Sequence, residues 1–120
     1  NSWLVEMNMS DDLDGGQFEI SKIGDNNYNW KLVNPDLEVL CISQAFQNIN
    51  KVKMSIENFK SNVKIGNFYI YKDNSGRFKY KLFSQTGRMV FSGDSFTVKE
   101  DASLLLEQIN TYSKKALVIV

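Results

Sequence analysis

The sequence predicts an α+β fold: tandem duplicated β3-α-β units sharing one antiparallel-rich sheet, with two helices on one face and an extra N-terminal strand. Three observations carry this. The chain nearly repeats itself at a spacing of 50 residues without gaps, aligning Gly16 with Gly66, Phe18 with Phe68, Ile20 with Ile70, Leu32 with Leu82 and Phe46 with Phe96. The similar pairs keep the same register: Tyr28/Phe78, Trp30/Tyr80, Leu40/Val90, Ile56/Leu106 and Phe59/Ile109. Shared apolar positions at a fixed period mean one supersecondary unit used twice. Within each unit, alternating apolar residues give way to an apolar stripe at helical spacing. At 120 residues the chain is one domain, 1–120, with internal repeats over 16–65 and 66–120 and a strand and acidic loop over 1–15.

The elements follow in order. Residues 3–9 alternate Trp3, Val5, Met7 and Met9 against Leu4, Glu6 and Asn8, the period of a half-buried strand. The segment Asp11–Gly16 breaks both regular patterns and reads as a loop. Repeat one then gives strands at 17–22, 28–33 and 37–43, with turns at Asp25–Asn27 and Asn34–Asp36. Repeat two gives strands at 67–72, 77–83 and 88–92, with turns at Asp73–Gly76 and Gln85–Gly87. Three strands joined by tight turns make a meander.

Each meander leads into a helix. Val52, Ile56, Phe59 and Val63 form one helical stripe, matched by Ala102, Leu106, Ile109 and Ser113. Asn48 is the expected cap of the first helix, and Thr97–Glu100 has the spacing of a capping box for the second. Short extended pieces are expected after the helices, at Val63–Ile65 and Leu117–Val120. The second is apolar and β-branched, which predicts a buried strand. The predicted core is Phe18, Ile20, Tyr28, Trp30, Leu32, Ile56 and Phe59 with their mates Phe68, Ile70, Phe78, Tyr80, Leu82, Leu106 and Ile109. One meander and one helix bury their apolar faces poorly alone, whereas two copies with both helices on the same face of a shared sheet bury them well.

Several function classes find no support. The chain has no histidine, so it lacks the usual general base at neutral pH and the commonest metal ligand. Cys41, the sole cysteine, lies in the apolar run Val39–Ile42 and reads as a buried structural thiol. A lone cysteine precludes an internal disulfide and fits a reducing, cytoplasmic setting. Asp11, Asp12 and Asp14 ahead of Gly15 resemble a calcium loop superficially. An EF-hand register, however, puts Ser10 at its first position and Ser21 where the bidentate Glu is needed, so a solvated acidic loop is expected. The glycines show no phosphate-loop spacing. No apolar run approaches a membrane span of about 20 residues, and no signal-peptide pattern opens the chain. The expectation is a protein that is no enzyme, with no catalytic residue, no metal, no cofactor and no membrane partner.

One cluster suggests binding. Net charge is zero, yet residues 1–65 carry six Lys against nine Asp/Glu and residues 66–120 carry eight Lys/Arg against five. In the basic half Tyr69, Tyr71, Lys79, Lys81 and Phe83 alternate onto the sheet face opposite the helices, with Arg77 at the strand start. Three exposed aromatics among cations fit an interface. A protein partner, engaged through the sheet face or an edge, is the favoured reading, with the chain a monomer or weak dimer. Nucleic-acid binding through the same basic and aromatic face is the alternative.

The run Gly66–Lys72, then Phe78–Leu82, then Gly87–Val90 and Ser92–Phe96 before a helix, resembles the YegP-like family. The resemblance spans about residues 16–116 and is clearest over 66–116. It implies small bacterial proteins of unassigned role whose β3-α-β units form one sheet with terminal strands exchanged between halves, and hence pairing of Leu117–Val120 with the first half. The chain departs from the family's Gly-Ile-x-Ser-Val helix stretch, with Ser55–Phe59 and Leu105–Ile109 in its place.

Overall fold

The structure, a computed structural model, describes residues 15–120. The expected N-terminal strand and the aspartates Asp11, Asp12 and Asp14 lie outside the described residues. The element order is β1 (Gln17–Gly24), β2 (Asn27–Val33), β3 (Val39–Ile42), α1 (Ile49–Ile65), β4 (Phe68–Lys72), β5 (Phe78–Phe83), β6 (Met89–Ser92), α2 (Lys99–Ser113) and β7 (Leu117–Ile119). The fold is α+β, and the two halves repeat it element by element.

The strands form two sheets rather than the one expected, ordered β3-β2-β1-β7 and β4-β5-β6. The short third strands account for the split. Each is four residues long, and each ladder is irregular where it begins, between Leu32 and Val33 and between Leu82 and Phe83. Such irregularities increase local twist and interrupt pairing. Each third strand instead packs towards the other half's helix, β6 on α1 and β3 on α2.

Packing nevertheless makes one core. Phe91 of β6 stacks on Trp30 of β2 at 5.7 Å between ring centroids and meets Phe59 of α1 edge-on at 5.1 Å. Phe59 also lies 4.8 Å from Trp30 and 6.1 Å from Phe18. Phe18, Trp30, Leu32, Ile56, Phe59, Tyr80, Leu82 and Ile109 are all buried, as their shared periodicity predicts. Tyr28, Phe68, Ile70 and Leu106 are half-buried against the same cluster, while Phe78 is half-buried outside it.

The helix ends show where local signals succeed and fail. Asn48 caps α1, its side chain accepting from the Lys51 N–H at 2.9 Å. Val63–Ile65 is helical, not extended, because α1 runs on to Gly66, whose φ of 84° closes it in the left-handed region. The capping box at Thr97–Glu100 does not form: the N-cap position of α2 falls one residue later, on Val98, with no side-chain cap. Val98 is the repeat mate of Asn48, so the second half keeps the backbone position and lacks the capping side chain.

β7 pairs in parallel with β1, Gln17 opposite Leu117 and Phe18 opposite Val118, joining the first half as expected. Its burial was overestimated. Leu117, Val118 and Ile119 remain about two-fifths exposed, because among the described residues β7 is the edge strand of its sheet. No helix among the described residues is long and apolar enough to cross a membrane.

Candidate functional site

β4 and β5 pair antiparallel with Tyr69 opposite Lys81 and Tyr71 opposite Lys79. Since Phe68, Ile70, Tyr80 and Leu82 turn towards the helices, these four alternate onto the outer face. The structure thus brings together the expected cluster. The Tyr69 and Tyr71 rings stack at 6.3 Å and 13°, and Lys81 Nζ sits 5.0 Å over the Tyr71 ring. Tyr69 is 59% exposed. Tyr71 and Phe83 are half-buried, so the expected three exposed aromatics reduce to one plus two partial faces.

The cations are less available than alternation suggests. Arg77 leaves the patch: its guanidinium donates from Nε to Ser95 Oγ at 2.7 Å and from a terminal nitrogen to the Ser95 carbonyl at 3.3 Å. Lys79 Nζ lies 3.5 Å from Asp73 Oδ2. Asp73 is the anchor of the β4–β5 turn, accepting from the Ser75 hydroxyl and from the Ser75 and Arg77 N–H groups. The Ser75 hydroxyl bond, foremost, and the Arg77 backbone bond hold its carboxyl down to about 2. Lys81 is engaged with Tyr71. The face is therefore an aromatic patch with locally balanced cations rather than a row of free positive charge.

Comparison between the halves locates what is special. At the positions of Tyr69 and Tyr71 the first half carries Glu19 and Ser21, and at that of Lys79 it carries Asn29. The outer edge of β1 is occupied by β7, whereas β4 ends its sheet and pairs on that side with no strand among the described residues. The open edge and the tyrosine pair coincide on one strand. Alternation exposed the face, but the open edge depends on which strand β7 joins, for which the sequence gives no signal beyond the family resemblance.

Cys41 is buried, as expected, and burial drives its thiol far above the ordinary range. Among the described residues no group of three or more His, Cys, Asp or Glu is placed to hold a metal ion.

The fold is YegP-like. Two solution NMR structures match it with a TM-score of 0.74 each. One is the protein of unknown function yegP from E. coli, at 17% identity over 88% of this chain and 91% of that one. The other is a UPF0339 protein from Shewanella oneidensis, at 13% identity over 88% and 90%. At these identities the likeness shows the fold alone. No family model and no curated protein matches the chain.

Proposed function

We propose that this chain is a non-enzymatic, cytoplasmic binding module that takes an extended segment of a protein partner along the outer edge of β4. The single observation that carries the reading is the asymmetry between the halves. Among the described residues the equivalent edges are closed by β7 on β1 and unpaired on β4, and the unpaired one alone bears the Tyr69–Tyr71 pair. An open edge presents a row of N–H and C=O groups that a partner strand satisfies, while side chains beside it set specificity. Tyrosine supplies large contact area at small entropic cost. Lys81, over the Tyr71 ring, favours a segment carrying acidic residues. The absence of histidine and the buried thiol of Cys41 support binding rather than catalysis.

The test begins with capture from the native host, followed by amide NMR of the complex with a peptide from the captured partner. Binding should shift and protect β4 amides, and the Tyr69→Ala/Tyr71→Ala double variant should weaken it at least about tenfold. Three results count against the reading: shifts confined elsewhere, binding indifferent to the double variant, or β4 amides already strongly protected in the free protein. Polynucleotide binding that falls steeply with salt and vanishes in Lys79→Ala/Lys81→Ala would replace a protein partner with a nucleic acid.

A further inference from the structure

Crossing of each third strand onto the opposite helix creates two clefts related by the repeat. One, of about 700 Å³, lies between α1 and β6; the other, of about 310 Å³, lies between α2 and β3. Phe46, Met54 and Asn58 in the first correspond to Phe96, Leu104 and Gln108 in the second. The clefts differ at two telling places. Ser55 in the first is Leu105 in the second, which fills the space, and Lys51 is Asp101. The smaller cleft is further lined by Glu38 and is acidic. The fold therefore tolerates a plugged cleft, and the open one is a property of this half rather than of the architecture.

Inside the larger cleft, three polar groups follow one another along α1. Lys51 is the sole charged residue lining it, and no carboxylate among the described residues pairs with it; Nζ reaches only Gln47 Oε1 at 3.4 Å. Ser55 Oγ accepts from the Trp30 indole N–H at 3.0 Å, leaving its own proton to donate. Asn58 Oδ1 is taken by Asn62 at 3.1 Å, leaving its amide NH₂ uncommitted. A cation in the first turn also opposes the helix dipole, and α1 has no acidic residue there to offset it. Stability does not favour Lys51 at this position, whereas an anionic ligand does. Apart from the uncharged Ser43, Gln44 and Ser92, the remaining walls are apolar, from the buried Trp30 and Phe59 to the exposed Met54 and Met89 at the rim.

We propose that the larger cleft binds a small carboxylate with an apolar body. The carboxylate, which only accepts hydrogen bonds, meets Lys51, Ser55 and Asn58, and the apolar body lies over Trp30 and Phe59 between the rim methionines. The volume suits a small-molecule site. This proposal stands apart from the β4 edge, which lies on the other half's outer strand.

The test is an amide and indole NMR titration of the whole chain with decanoate and 2-naphthoate, alongside 1-decanol, 2-naphthalenemethanol and inorganic phosphate. Saturable shifts are expected at Ser55, Asn58 and the Trp30 indole N–H, with each carboxylate bound about tenfold or more tightly than its alcohol and phosphate not bound. The exposed substitution Lys51→Gln should erase that preference while leaving alcohol binding intact. Ser55→Leu, which copies the residue of the plugged cleft, should abolish binding of both. Should Ser55→Leu not fold, Lys51→Gln alone decides. Absence of saturation at millimolar ligand, or a carboxylate preference that survives Lys51→Gln, overturns the proposal. A response of only one of the two carboxylates supports it and selects the aliphatic or the aromatic body.

Discussion

Replacing Phe59 with alanine tests whether the two sheets share one core. Phe59 is 1% exposed and its ring touches Phe18, Trp30 and, across the halves, Phe91. Truncating a buried phenylalanine costs about 3–5 kcal/mol through lost burial and the cavity left behind. A domain of this size holds about 5–15 kcal/mol in total, so the loss is a large fraction of its stability. Urea unfolding followed by circular dichroism gives the magnitude, and native-state hydrogen exchange gives its distribution. If the core is continuous, the amides of Tyr80 and Leu82 in the second half lose as much protection as those of Phe18 and Leu32. For about 3–5 kcal/mol that is two to nearly four powers of ten, read at amides exchanging by global unfolding. Wild-type protection at Tyr80 and Leu82 beside lost protection at Phe18 and Leu32 would refute the shared core and make the halves separate units.

Three further substitutions use one repeat to correct or probe the other. Leu37 holds a φ of 65° where its mate Gly87 holds 84°, so Leu37→Gly should relieve left-handed strain and stabilise by about 0.5 kcal/mol after the entropic cost of glycine; a loss in urea unfolding contradicts this. Val98→Asn, copying the Asn48 cap onto α2, should add about 1 kcal/mol by the same assay, and no gain would mean that the side chain cannot reach the free N–H groups. The Tyr80 hydroxyl is buried, finds no hydrogen-bond partner among the described residues and presses towards Gly93. Tyr80→Phe should therefore leave stability unchanged or raise it by about 1 kcal/mol, and a loss of that size would reveal a partner for the hydroxyl.

The repeat register made the fold legible because each apolar mate pair reports the same inward position twice. Phe18 with Phe68 and Leu32 with Leu82 sit where alternation puts them. What the register could not report is how the copies meet. Whether β3 and β6 join in one ladder depends on bulges after Leu32 and Leu82, which no residue type announces. The helix starts are similar: Thr97 and Glu100 have the right spacing, but the chain enters α2 at Val98 because the repeat, not the local motif, sets the boundary. At the site, alternation placed Tyr69, Tyr71, Lys79 and Lys81 on one face, and the capture of Arg77 by Ser95 was invisible because the two lie on different turns. The larger cleft did leave a trace, in the exchange of Ser55 for Leu105 and Lys51 for Asp101, which only crossed strands turn into a cavity difference.

The pairing of β7 with β1 has a consequence for how the molecule assembles and with what. Its register joins residues 100 apart, Gln17 with Leu117 through Glu19 with Ile119. Closing a loop of that length costs about 4 kcal/mol of chain entropy, against which stand only three paired residues. With three paired residues and partly exposed side chains, the clasp belongs to the contacts that open most readily. While it is open, β1 offers a bare edge and β7 three apolar residues that fit it, and a neighbouring copy presents the same two surfaces. At high concentration the intramolecular and intermolecular versions of one ladder compete, so strand exchange between copies is built into the way this chain closes.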